Sequence, residues 1–284
     1  MSKAHIRDII DRHICTEGLM ETGIKGVQIF RVTAPMPCVP AVYEPSVVAI
    51  VSGAKEAVLD GERHVYDSTR YMCCTMSMPA EAGTPDASPE APLLGVTVSL
   101  DTRVMTELTI EIENARGVGR LAQAGVGLQG VALARWDDGF SDALVRLLQL
   151  VDTPADMAVL GEGRLRELYY AVLKGEAGNS ARRAFGVGNE IARTIEFLST
   201  RLDEAVTIDD LASEVGMSRA VFHRKFKQAT SISPIQFVKA MRLNSAAMQI
   251  AKGVTVSEAA MDVGYVSASQ FSREFKRAYG QTPK

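Results

Sequence analysis

The sequence predicts an α+β protein, with an antiparallel β domain at its N-terminal end, a helical middle and an all-α C-terminal third. Three observations carry this. Between Val27 and Leu100, short apolar runs of strand character alternate with turns; after Leu100 the hydrophobic period lengthens to that of a helix; and the last third contains one helical pattern twice. A length of 284 residues and 30.6 kDa suits more than one domain at about 100–200 residues each. With 46% hydrophobic and 23% charged residues, the chain can bury a core and leaves little room for long disorder.

The N-terminal MSKAHIRDIIDRHICTEG interleaves charge with apolar residues at helical spacing and holds no apolar run of signal-peptide length. The strand candidates are VQIFRV, VVAIVSG, KEAVLD, ERHVY, RYMCCTM and LLGVTVSL. Asp60-Gly61 between two of them signals a type I′ hairpin, because that turn demands positive φ. Strands so closely spaced suggest a sandwich or small barrel, and the Pro-rich Met78–Pro92 reads as a loop.

Asp101 is a plausible N-cap for the helical run TRVMTELTIEIE. The Gly-rich stretch Gly117–Gly130 lacks the Gly-Lys-Ser/Thr of a phosphate loop. Two further helical runs follow, FSDALVRLLQLVD and RLRELYYAVLKGE. In the second, Leu165, Leu168, Tyr169, Val172 and Leu173 form one wide apolar stripe that needs a partner, either the β domain or a second subunit. Glu176–Glu190, rich in Gly, Asn and Ser, has the pattern of a linker. The expected organisation is a β domain over residues 1–100, a helical segment over 101–178, a linker over 179–189 and a helical domain over 190–284.

The repeat lies in that last domain. TIDDLASEVGMSRAVFHRKFK (Thr207–Lys227) is echoed by TVSEAAMDVGYVSASQFSREFK (Thr255–Lys276), with Ala212 and Ala260 each four residues before a glycine. Phe222 and Phe226 match Phe271 and Phe275. In a helix-turn-helix the small Ala lets two helices cross closely, the Gly takes the left-handed conformation that ends the first helix, and the Phe pair anchors the second. Thr207 with Asp210, Thr255 with Glu258, Ser218, and Ser267 with Gln270 supply caps. Between the copies, Ser233, Pro234 and Gln236 start a helix of some 18 residues, about 27 Å long. That approaches the ~34–36 Å between successive major-groove faces of DNA, so the pattern reads as two heads on one strut.

With the Phe pair inward, Arg219, Ala220, His223, Arg224 and Lys227 fall on the outer face of one second helix. Ala268, Ser269, Ser272 and Arg273 take the equivalent places on the other, followed by Lys276 and Arg277. Arg suits a bidentate contact to guanine and Ser or His a base edge, whereas Lys227, Lys276 and Arg277 suit phosphates.

The net charge of −3 and pI near 5.9 hide an uneven distribution. Before Gly186 there are 18 basic and 24 acidic residues, a net of −6; from Gly186 on there are 13 and 10, a net of +3. Four cysteines (Cys15, Cys38, Cys73, Cys74) make no disulfide framework and no Cys-x-x-Cys. No stretch approaches the roughly 20 apolar residues of a membrane span, and a reducing cytoplasm fits best.

The C-terminal residues resemble the DNA-binding domain of the AraC/XylS family of bacterial transcription regulators from about Glu190 to Lys284, above all through Gly264-Tyr265, Phe271, Arg273, Phe275, Gly280 and Pro283. The resemblance implies base reading of double-stranded DNA by Ala220, His223 and Arg224 in one copy and by Ala268, Ser269, Ser272 and Arg273 in the other. Ala220 departs from the larger side chains often found there, which leaves it a methyl contact or none. The segment from Tyr43 to Met72 and the later PLLGVTVSLD resemble the AraC-type, cupin-like β-barrel, which implies a small-molecule effector, a homodimer and an activator that works with RNA polymerase. Metal-binding cupins need several His; the β region has only His64, with His5, His13 and His223 outside it, so neither metal nor cofactor is expected. The rival readings for this part are a cupin-class enzyme and a redox or electrophile sensor built on Cys73 and Cys74. A sensing thiol requires a lowered pKa and access.

Overall fold

The structure is a computed structural model describing residues 2–115, 130–186, 189–204 and 206–284. It opens with α1 (Ser2–His13), whose Ile6, Ile9 and Ile10 share one face by their spacing and are fully buried. Nine strands follow: β1 (Gly18–Glu21), β2 (Val27–Val32), β3 (Met36–Tyr43), β4 (Ser46–Ser52), β5 (Ala54–Leu59), β6 (Glu62–Asp67), β7 (Arg70–Cys74), β8 (Met78–Thr84) and β9 (Leu93–Ser99). After α2 (Thr102–Ala115) comes a tenth, β10 (Val131–Arg135). They form two antiparallel sheets, ordered β1-β2-β9-β4-β7-β10 and β3-β8-β5-β6. The β5–β6 turn has φ of 52° at Asp60 and 77° at Gly61, the two positive values the type I′ hairpin requires.

Between the sheets, Phe30, Val48, Ile50 and Met72 of the larger meet Ala57, Leu59, Tyr66 and Ala82 of the smaller. The far face of the larger sheet, with Ile29, Val47, Cys73 and Val96, packs on α1, α3 (Asp138–Leu148) and α4 (Pro154–Lys174). A sheet covered on both faces explains why β4 reads as a continuous apolar run. The stripe of α4 belongs to this core: Leu168, Tyr169, Val172 and Leu173 are buried with Phe140 and Leu144 of α3, so its partner is this chain's own β domain and helices.

Three sequence expectations are corrected. Met78–Pro92 was expected to be a loop, yet its first half is β8, paired to β3, a strand that its own Pro37 and Pro40 conceal. Pro40 sits on an edge strand, and Pro79 lies outside the β5–β8 ladder, which runs only from Glu81 to Gly83, so neither proline removes a needed N–H. The segment 101–178 is not wholly helical, because β10 joins the larger sheet beside β7. The expected linker 179–189 is helical as far as α5 (Gly178–Phe185), whose Ala181, Ala184 and Phe185 are buried and whose Arg182 bonds the Leu173 carbonyl. Tertiary packing overrides local composition there. The Gly-rich stretch up to residue 129, and residues 187 and 188 of the linker, lie outside the described residues.

The C-terminal third comprises α6 (Glu190–Ser199), α7 (Ile208–Glu214), α8 (Arg219–Thr230), α9 (Pro234–Ala251), α10 (Val256–Asp262) and α11 (Ala268–Tyr279). No described helix is long and apolar enough to cross a membrane.

Candidate nucleic-acid interface

Each helix-turn-helix is specified by its caps and its turn. Thr207 and Asp210 form a reciprocal capping box on α7, and Thr255 accepts from Glu258 N on α10. Gly216 (φ +65°) and Gly264 (φ +82°) end those helices in the left-handed region. Ser218 and Ser267 then cap α8 and α11. Ala212 and Ala260 are buried at the crossings, and Phe222, Phe226, Phe271 and Phe275 are buried beneath the second helices. Those anchors fix which face of each second helix is left to solvent.

On α8, Arg219, Ala220, His223, Arg224 and Lys227 are all exposed; on α11, Ala268, Ser269, Arg273, Lys276 and Arg277 are exposed and Ser272 is half-buried. Arg219 is not free: its Nη1 lies 2.9 Å from Asp209 Oδ2 on α7. It must leave that carboxylate to reach a base, whereas His223 and Arg224 carry no such tie in the structure. Sequence reading passed over Lys225, exposed on α8, and Val266, fully exposed immediately before the α11 cap. The signal for Val266 was available, since it stands in the turn that places the reading helix.

The strut α9 carries apolar residues on several sides, because it has three partners. A reciprocal capping box from Ser233 and Gln236 starts it, with Pro234 in the first turn. Phe237 and Met241 enter the core of the first helix-turn-helix, while Leu243 and Ala246 enter that of the second. Lys239 holds Glu274 of α11 at 3.1 Å, and Tyr265 donates to the same carboxylate at 2.9 Å. The third side faces the β domain. Buried Asn244 donates to the carbonyls of Ala41 on β3 (2.7 Å) and Ala80 on β8 (2.8 Å), and its Oδ1 accepts from Tyr279 of α11. Val42 N donates to Met248 Sδ at 3.3 Å. One amide thus joins β domain, strut and second reading helix, and it is satisfied at both ends. Sequence reading missed Asn244 because the two carbonyls it donates to lie more than 160 positions away.

Within the β domain, alternation along β7 sends Cys73 to the helical side of the larger sheet and Cys74 between the sheets. Both are fully buried, and burial pushes the Cys73 thiol up to about 12 and that of Cys74 up as well. His64 sits on β6, half-buried and paired in register with Ala57. No cluster of three or more metal-ligating side chains occurs among the described residues.

Two exposed reading helices on one strut, joined to a β domain of two sheets, define a DNA-binding protein with a separate N-terminal module. The comparisons give its family. A profile for the AraC-type transcriptional regulator N-terminus matches residues 23–180, and a helix-turn-helix domain profile matches residues 211–284. The chain belongs to the AraC-type transcriptional regulators. The regulatory protein SoxS of Salmonella typhimurium is 32% identical over 94 residues, 33% of this chain and 88% of its own. The transcriptional activator RhaS of Pectobacterium atrosepticum is 22% identical over 245 residues, 86% of this chain and 79% of its own. Among solved structures, ToxT of Vibrio cholerae with a bound unsaturated fatty acid is similar in fold, with a TM-score of 0.57 at 11% identity over 90% of this chain and 92% of that one. ToxT bound to (E)-4-(8-methylnaphthalen-1-yl)but-3-enoic acid reaches 0.62 at 11% identity, over 91% and 97%.

Proposed function

We propose that the protein is a cytoplasmic, homodimeric transcription activator, not an enzyme, which reads a promoter with α8 and α11 in successive major grooves and acts through RNA polymerase. The observation that carries the DNA-reading part is the exposed outer face of two capped helices on one strut, bearing His223 and Arg224 on one and Ser269 and Arg273 on the other. Base reading falls to Ala220, His223, Arg224, Ala268, Ser269, Ser272 and Arg273, with Arg219 joining once it leaves Asp209. Lys227, Lys276 and Arg277 hold phosphates.

The shared core of α1–α5 with the sheets supports one sensing module running to Phe185, and residues 190–284 form the reading module. An effector held between the sheets biases the arrangements of the two modules by its differential affinity for them, and the Asn244 joint is where that bias is felt. Dimerisation uses the outer side of α2 and α4, where Leu108, Ile112, Ala115 and Tyr170 line an apolar groove rimmed by Glu111 and Lys174. Buried, protonated Cys73 and Cys74 do not favour the thiol-sensor reading, because the thiolate is the reactive species. Binding to a site selected from random DNA, by wild type and by Arg224→Ala and Arg273→Ala, tests the assignment. Selective loss on that site supports it, and equal loss on random DNA makes these residues phosphate contacts. A stoichiometric transition metal in the purified protein would instead revive a cupin-class enzyme.

A further inference from the structure

Lys55 is an inward-facing charge in the β domain. Two and four residues on, Ala57 and Leu59 are buried between the sheets, and the antiparallel register sets Lys55 opposite buried Tyr66 of β6. Its Nζ stands 5.7 Å from the centre of the Phe30 ring and 5.8 Å from that of Tyr43. Phe30 holds its place because it lies over Gly95 of β9, its register partner, where a Cβ would overlap the ring. The Tyr43 and Tyr66 hydroxyls are 3.4 Å apart. An ammonium therefore enters an aromatic setting, and burial of its charge lowers it to about 8.

No carboxylate compensates it. Lys55 forms no ion pair among the described residues; Glu56 points to the other face of β5, where Arg63 and Cys38 hold it, and Glu44 accepts from Ser77. Cation–π contacts offset only part of the cost of taking an ammonium out of water. Most of the other buried inter-sheet side chains are apolar, including Val48, Ile50, Met72 and Met76, alongside buried Thr84 and half-buried His64, which suits a hydrocarbon body better than a sugar.

We propose that Lys55 anchors the effector, and that the effector is a monocarboxylate with an apolar body. This rests on the reading of the β domain as the sensing module. The carboxylate pairs with Lys55 Nζ in a setting of low dielectric, where a charge-assisted bond is strong, and the body lies among Phe30, Tyr43 and the inter-sheet apolar side chains.

The test is calorimetry and thermal unfolding on the full chain, with 2-naphthoate and decanoate as probes and their primary amides as neutral counterparts. The acids are expected to bind, and the amides to bind at least about tenfold more weakly. Lys55→Met should lose the preference for acid over amide and should raise the thermal midpoint of the unliganded protein, since it removes a poorly solvated charge; a merely structural lysine would lower it. Lys55→Arg, which keeps the charge, should retain the preference and serves if the Met variant does not fold. Equal binding of acids and amides, undiminished acid binding by Lys55→Met, or no binding of either acid to the wild type overturns the proposal. Acid binding that depends on Lys55 yet leaves DNA affinity unchanged would keep the site and remove the effector reading.

Discussion

Arg224 and Arg273 occupy corresponding outer positions, two residues beyond Phe222 and Phe271, on their reading helices. Each truncation to Ala should cost about 1–3 kcal/mol on the cognate site and relax base preference locally, measured by competition against variant sites. Lys227→Ala or Lys276→Ala should weaken binding evenly across sequences and flatten the salt dependence by about one phosphate contact. These four residues were legible in the sequence because a Phe pair four apart fixes which face of a helix is free. Lys55 and Asn244 were not, because their roles depend on rings and carbonyls that only the fold brings to them. Vicinal Cys73 and Cys74 attracted notice as sequence, but their burial predicts that iodoacetamide at pH 8 labels exposed Cys15 and spares both in the folded protein. Peptide mapping after alkylation reads this directly.

Among the elements, the two helix-turn-helix turns look alike in sequence and differ in packing. A Cβ on Gly216 meets nothing within 4 Å, so Gly216→Ala should cost only the ~1–2 kcal/mol of a left-handed non-glycine residue. At Gly264 the same Cβ would sit 2.8 Å from the Asp203 carbonyl oxygen and 2.9 Å from that of Leu202, so Gly264→Ala should destabilise more in thermal denaturation. On the proposed reading, the strut carries the coupling. Asn244→Asp keeps the shape but replaces two donors by an acceptor facing the Ala41 and Ala80 carbonyls, which should loosen the joint and make DNA affinity less dependent on effector. Hydrogen exchange at β3 and β8 should rise in the same variant, and unchanged exchange with unchanged regulation would remove the joint from the mechanism. The strands hidden by Pro37, Pro40 and Pro79, and α5 behind its Gly, Asn and Ser, show where local composition misled: an edge position or a docked face tolerates residues that would break an isolated element.

For the molecule as a whole, the charge of −6 before Gly186 and +3 after it keeps the acidic module from competing for phosphate while the reading module attracts it. Two heads held at the two ends of α9 imply a spacing that DNA must match. The decisive measurement is footprinting on sites selected from random DNA by the full-length protein. Two protected blocks about 10 base pairs apart on one face, with affinity lost when 5 base pairs are inserted between them, are the expected result. A single block, or binding indifferent to that insertion, would contradict the assignment of α8 and α11 as paired reading heads.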